Sequence, residues 1–269
     1  MAMDLGSLEA LQNLNQPAIE RKASESGEGG RGTRLDALRN AGLSLGARGA
    51  LLARTKVINA ALKQAERSLD TTYNFQPLMI EGRVVPPVLT ETRDVYTQDS
   101  DRTVMFSGVR YKMESAPRFT SRVPTWREYL YLEPGELNAT NLKLLPRDSA
   151  EQQIWKQAVA DGWQDGLKQA DDILDANAKR LNRDYTGMVR YRMLALSNQI
   201  SLPVVAQSLM PINSNGDTMT IDEQLLRITR TPSFNPNMSQ WEALGQEVGQ
   251  LQRPAEETAP APRRLPETR

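Results

Sequence analysis

The chain has 269 residues, 33 Lys plus Arg against 33 Asp plus Glu, and neither His nor Cys. Zero formal net charge gives no electrostatic footprint for nucleic-acid phosphates or an anionic membrane, and no apolar run approaches the roughly 20 residues that span a bilayer, so the chain reads as soluble as written. The missing residue types exclude disulfides, thiolate nucleophiles, Cys- or His-ligated metals and Ser-His-Asp triads, leaving carboxylates, Lys, Tyr or Arg for any chemistry.

The start "MAMDLGSLEAL" lacks a charged segment followed by an apolar run, so no signal peptide is visible. Residues 14–32 are polar and Gly-rich and read as a linker. Within them "GEGGRG" fits G-x-G-x-x-G, but "ERKASES" before it is no strand, and a dinucleotide loop needs one. A long helix follows, with Thr33 as a candidate cap and apolar residues at Leu35, Leu38, Leu45, Leu52, Ile58, Leu62, Ala65 and Leu69 on one face. Gly42, Gly46 and Ala50 fall four apart as a strip of small residues. Glycine inside a helix costs about 1 kcal/mol relative to alanine, so this strip points to another backbone close by.

Residues 78–89, "LMIEGRVVPPVL", are apolar but interrupted by Gly82 and by Pro86-Pro87, which allows at most an edge strand or an extended crossing segment. Residues 102–115 alternate, with Val109, Tyr111 and Met113 on one side and Ser107-Gly108 as a candidate turn between two strands. In "PTWREYLYLEPG" Thr125 and Glu128 have capping-box spacing after Pro124, which predicts a short helix. Its Trp126, Tyr129 and Leu130 share one face. Packing on the core and contact with a partner are both open for that face. The expectation adopted is that Trp126 and Tyr129 are structural, with Arg127 and Tyr131 nearer the surface.

A second long helix is predicted from Ser149, with Gln152 completing a capping box. Its core face carries Trp155, Trp163, Leu167, Leu174, Leu181 and Met188, and the pattern runs to about Asn198 with a possible interruption at 184–187. Ala158, Gly162, Gly166 and Ala170 form its own small strip, and the two strips are expected to pack on each other. Beyond it, residues 204–210, 218–221 and 225–230 read as short strands, with "NSNGD" turning between the first two. Pro232 and Pro236 end the pattern, and a Pro/Glu-rich tail closes the chain. The reading is thus a flexible segment 1–32, one α+β domain over 33–238 and a flexible tail 239–269.

No motif carries chemistry. "NSNGDTMTIDEQ" departs from a calcium loop, with Thr218 where Gly belongs and Gln224 where Glu belongs. Asp161, Asp165, Asp171 and Asp172 alternate with Lys156, Lys168 and Lys179 and read as a solvated helix face rather than an acid–base pair. No cofactor and no metal are expected.

Taken together, "LSLGARGALLARTKVI" (43–58), "LDTTYNFQPL" (69–78), "VVPPVL" (84–89), "PTWREYL" (124–130), "LLPRDSAEQQIWKQAVADGWQDGLKQADDIL" (144–174) and "IDEQLLRIT" (221–229) resemble, in this order, the DotC family of type IVB (Dot/Icm) secretion systems. The TraI lipoproteins of IncI-type conjugative plasmids look nearest. The resemblance implies a non-catalytic subunit of the outer-membrane core complex, assembled in a multi-copy ring with DotD-like and DotH-like proteins and supporting conjugation without binding nucleic acid directly. It implies a lipid on an N-terminal Cys at the periplasmic face of the outer membrane. This sequence lacks that Cys, as expected of a form in which "MA" replaces the lipidated segment.

Arg127, Tyr131, Pro86 and Pro87 are the residues expected to meet a partner. Trp126, Tyr129, Gly42, Gly46, Gly162, Gly166, Trp155 and Trp163 are expected to be structural. A periplasmic enzyme or glycan-binding module is the alternative, and a deep pocket lined by Trp126, Tyr129 and paired acids would mark it.

Overall fold

The computed structural model describes residues 7–14, 31–100, 103–133, 135, 144–210, 213–214, 217, 219–220 and 224–242. It is an α+β structure whose contacts divide into two compact units, Met1–Leu69 with Arg127–Arg180, and Asp70–Trp126 with Leu181–Arg269.

In the first unit, helix α1 spans Leu8–Gln12, α2 spans Arg31–Gln64, and α3, Glu66–Thr72, continues after a one-residue irregularity at Ala65. Helix α4 is Trp126–Leu130, beginning at the unit boundary, and α5 is Ser149–Leu196, which belongs to the first unit up to Arg180 and to the second beyond it. Helices α2 and α5 run parallel and in register. The same separation of 117 residues joins Arg34 to Glu151 and Arg54 to Asp171. Between these ion pairs the small strips meet. A Cβ built on Gly46 would lie 2.3 Å from the Val159 carbonyl oxygen, on Gly162 2.1 Å from that of Leu43, and on Gly166 2.2 Å from that of Ala47. Gly42 is looser, 3.0 Å from the Ala158 Cβ. Glycine is therefore required where the two backbones touch, and the expected strip-on-strip packing is what forms. Trp155 and Val159 of α5 close the core with Leu38, Leu145, Leu11 and Leu14, and Trp163 packs at its edge.

Three local expectations are corrected here. Thr33 lies inside α2, which already begins at Arg31, so it caps nothing. The cap of α5 is Asp148 rather than Ser149. The Asp148 carboxylate accepts from the Glu151 N–H at 2.8 Å, and the Glu151 carboxylate reaches back to the Arg147 N–H at 2.9 Å. Gln152, freed from capping, donates its side-chain amide to the Gln12 carbonyl. Residues 7–14, within the segment expected to be flexible, are packed: Leu11 is fully buried, and its carbonyl accepts the Trp155 indole N–H at 2.9 Å. The apolar Leu8, Leu11 and Leu14 give this short helix a face that the start of α5 covers.

The second unit opens with a 3-10 turn at Gln76–Leu78 and a tight turn in which Glu81 and Gly82 both have positive φ, leading into β1, Val84–Val85. Strands β2, Val88–Ser100, and β3, Thr103–Ser115, form one long antiparallel ribbon, and β4, Arg118–Phe119, pairs with β1. Ser107-Gly108 is therefore mid-strand and not a turn: Ser107 faces Val95 in the ladder. The base of the ribbon sits on the C-terminal part of α5. Gly187 makes this possible, since a Cβ there would come within 2.5 Å of Val88 and 2.9 Å of the Leu89 backbone. Helix α5 runs through 184–187 without the interruption considered from sequence. It stops at a Schellman arrangement, where Asn198 takes φ +57, its N–H bonds Ala195 and the Gln199 N–H bonds Leu194.

Past α5, strands β5, Val204–Leu209, and β8, Gln224–Arg230, pair antiparallel, with the two-residue strands β6, Asn213–Ser214, and β7, Met219–Thr220, pairing in line between them. The first expected strand thus pairs with the third. Part of "NSNGD" lies within β6, and the rest falls partly outside the described residues. A second 3-10 turn at Met238–Gln240 follows, and the Glu242 N–H bonds the Ser197 carbonyl, so ordered structure continues past residue 238. Most of the expected tail lies outside the described residues.

Candidate interaction surface

The aromatic stretch around α4 is held from both ends. Trp126 is 1% exposed, and its indole N–H donates to Asp70 Oδ1 at 2.7 Å. A ring this buried lines no open pocket, and the alternative glycan or enzyme site built on Trp126 has no geometry behind it. Tyr129 is half-buried beneath the Arg180 guanidinium, 5.2 Å from its ring centre. Arg127 pairs with Glu66, and Asn59 holds Leu132 by two hydrogen bonds. Tyr131 is exposed. Pro86 and Pro87 are among the most completely buried side chains, which corrects the expectation that they meet a partner: they fill the interior between β1 and β2 and offer no surface.

The acidic residues of α5 are not drawn together. Asp161, Asp165, Asp171 and Asp172 are exposed; Asp161 accepts from Gln157 and Asp171 pairs with Arg54. No group of three acidic side chains able to hold a metal ion occurs among the described residues. Among the described residues Glu151 is the most buried acid. Burial works against its charge, but a bidentate pair with Arg34 (2.9 and 3.1 Å) and the Arg147 N–H outweigh this and hold its carboxyl below the usual range. Glu91 is also held low, chiefly by its hydrogen bond from Arg93. Arg190 binds the Glu91 carboxylate and the Leu89 carbonyl, clamping the ribbon base to α5. Burial pushes the Tyr191 hydroxyl up to about 12, with its O–H aimed at the Ser201 carbonyl. These charged and polar groups serve the fold.

Among the described residues, a cluster of exposed apolar side chains lies on the ribbon that follows α5. The β5–β8 ribbon stands as a two-stranded sheet. Alternation puts Val205, Leu209, Leu226 and Ile228 on one face, and only Val205, Leu226 and Ile228 are even half-buried. Leu209 is 70% exposed and Leu225, on the other face, 48%. Leu202, Val204 and Met210 are exposed beside them. A lone two-stranded ribbon is marginal in water, and its unpaired edges are templates for further pairing. In the same unit, Tyr111, Leu194, Gln199, Phe234, Asn235 and Trp241 line a groove of about 220 Å³. Sequence reasoning placed the strands but missed this surface.

Over residues 32–243 the chain matches the family described as type IV secretory system, conjugal DNA-protein transfer. The chain belongs to this TraI/DotC-like family of type IV secretion systems. No curated protein matches it. Family membership makes it a conjugal transfer component of a type IV secretion system, and the family is not an enzyme family. No helix among the described residues is long and apolar enough to cross a membrane.

Proposed function

We propose that this protein is a non-catalytic building block of the outer-membrane core complex of its conjugation system, assembling with DotD-like and DotH-like proteins at the periplasmic face of the outer membrane. The observation that carries the reading is the β5–β8 ribbon, a two-stranded sheet among the described residues whose Val204, Leu209 and Leu225 are exposed. In this reading the ribbon supplies the contact. Main-chain pairing at an open edge gives affinity, and alternating side chains such as Leu209 and Leu226 give selectivity. The resemblance to DotC adds a multi-copy ring and a lipid anchor on an N-terminal Cys to this reading.

The test is co-expression of the chain with its DotD-like and DotH-like partners and purification through a tag on the chain. Stoichiometric recovery of the partners from wild type, lost with Leu209→Asp, supports the reading. Recovery of neither partner by wild type contradicts it.

A further inference from the structure

We infer that the arginine face of the small β1–β4 sheet docks the acidic flank of α5 in a second copy of this chain, joining copies head to tail. This face is not the β5–β8 ribbon, and the inference does not rest on the assembly reading. In the β1–β4 sheet Val84 lies opposite Phe119 and Val85 opposite Arg118. The Thr120 N–H donates to the Arg83 carbonyl at 2.9 Å, which carries the pairing one step further and sets Arg83 beside Thr120. Alternation then places Arg83 and Arg118 on one face as diagonal neighbours, about 7–8 Å apart. Both are exposed, while Val84 and Val85 are buried. The Thr120 hydroxyl donates to the Arg122 carbonyl at 2.6 Å, and this turn brings a third exposed arginine to the same end of the sheet. Glu81 is the one acid in residues 81–85 and 115–122, against Arg83, Arg118 and Arg122. Like charges gathered on a sheet face repel, so the face favours an anion between them.

Charge and spacing select the occupant. A guanidinium takes a carboxylate in a two-pronged fit, so two neighbouring arginines suit two carboxylates at a similar separation. Asp161 and Asp165 supply them: both are exposed, and one helical turn sets their Cβ atoms about 5–6 Å apart. Asp172 returns to the same flank of α5 and is exposed too; Lys168 is the cation among them. A nucleic-acid strand would need a track of cations along its phosphates, whereas the arginines here form one compact group. The chain carries 33 acidic and 33 basic residues, so unlike charged faces of two copies can satisfy each other. A contact between two different faces leaves one of each free, and it therefore repeats into a closed ring or an open filament. Exposed ion pairs are screened by salt, so the contact is weak and salt-sensitive.

The test is sedimentation velocity of the purified full chain over a concentration series, at low salt and again at about 0.3 M, where screening is much stronger. Wild type should associate at low salt and dissociate at high salt. One variant carries Arg83→Gln with Arg118→Gln, and another carries Asp161→Asn with Asp165→Asn. Each alone should stay monomeric. Mixed one to one, they keep a single intact junction and should form a dimer and nothing larger. A chain with both Arg118→Asp and Asp165→Arg restores the pairing with its signs exchanged and should associate again. A wild type that stays monomeric at low salt would overturn the inference, whether or not it binds a thymidine oligonucleotide through the same arginines. Association that survives in either double variant, or a mixture that forms no dimer while the sign-exchanged chain stays monomeric, would also overturn it.

Discussion

Gly162 approaches Leu43 so closely that a Cβ on the glycine would lie 2.1 Å from the Leu43 carbonyl oxygen. The neighbour is backbone, so no rotamer change relieves the clash, and the helices must part. Overpacking of this kind costs about 1–3 kcal/mol. Gly162→Ala and Gly46→Ala should each lower the melting temperature clearly. Gly32→Ala is the control: nothing lies within 4 Å of its Cβ position, and alanine favours a helix by about 0.5–1 kcal/mol. Thermal melting of the three variants checks the contrast.

The helix pair was legible because small residues recur every four positions on both helices, a period that only a helix face explains. Gly187 was not, since its partner is the β2 backbone and no second small residue repeats the signal. The long ribbon was half-visible: β3 alternates over Tyr111 to Glu114, whereas "TETRDVYTQDS" in β2 is polar and carries no alternating apolar pattern. Asp148 outcompeted Ser149 as cap by a shift of one residue, which a spacing rule does not resolve. The candidate surface was hidden for another reason. Whether Leu209 or Val205 is covered depends on what packs over the strand, and alternation alone is silent on that.

Trp126 and its neighbour Arg127 should behave differently on truncation. Trp126 is fully enclosed, and replacing a buried aromatic by alanine costs about 3–5 kcal/mol, a large share of a domain's stability of about 5–15 kcal/mol. Arg127, a third exposed and paired with Glu66, sits in the range of exposed ion pairs, about 0–1 kcal/mol. Denaturant titration should show Trp126→Ala unfolding at much lower denaturant and Arg127→Ala close to wild type.

The Arg34–Glu151 pair predicts a pH dependence. A carboxyl held below its unfolded value of 4.5 binds its proton less readily folded than unfolded. Its stabilisation is therefore fully present above about pH 4.5 and is lost as pH falls through the lowered folded value. Glu151→Gln should be less stable than wild type at neutral pH, and the gap should narrow as the solution is acidified below that range. Melting temperatures from pH 7 down to pH 3 would show it; a gap independent of pH would place the effect in packing.

Leu209 and Leu225 should separate folding from assembly. Both are exposed in the chain, and surface substitutions away from special features stay within about 0.5 kcal/mol. Leu209→Asp and Leu225→Asp should melt like wild type while reducing conjugation in cells, measured as transconjugants per donor at matched protein level.

The most direct measurement of the central claim is the affinity of the purified chain for its DotH-like and DotD-like partners, read by calorimetry with wild type and Leu209→Asp side by side. The account predicts a complex with wild type and at least a tenfold weaker one with the variant, equivalent to about 1.4 kcal/mol, at unchanged melting temperature. Equal affinity for the two chains, or no binding by wild type, would contradict it.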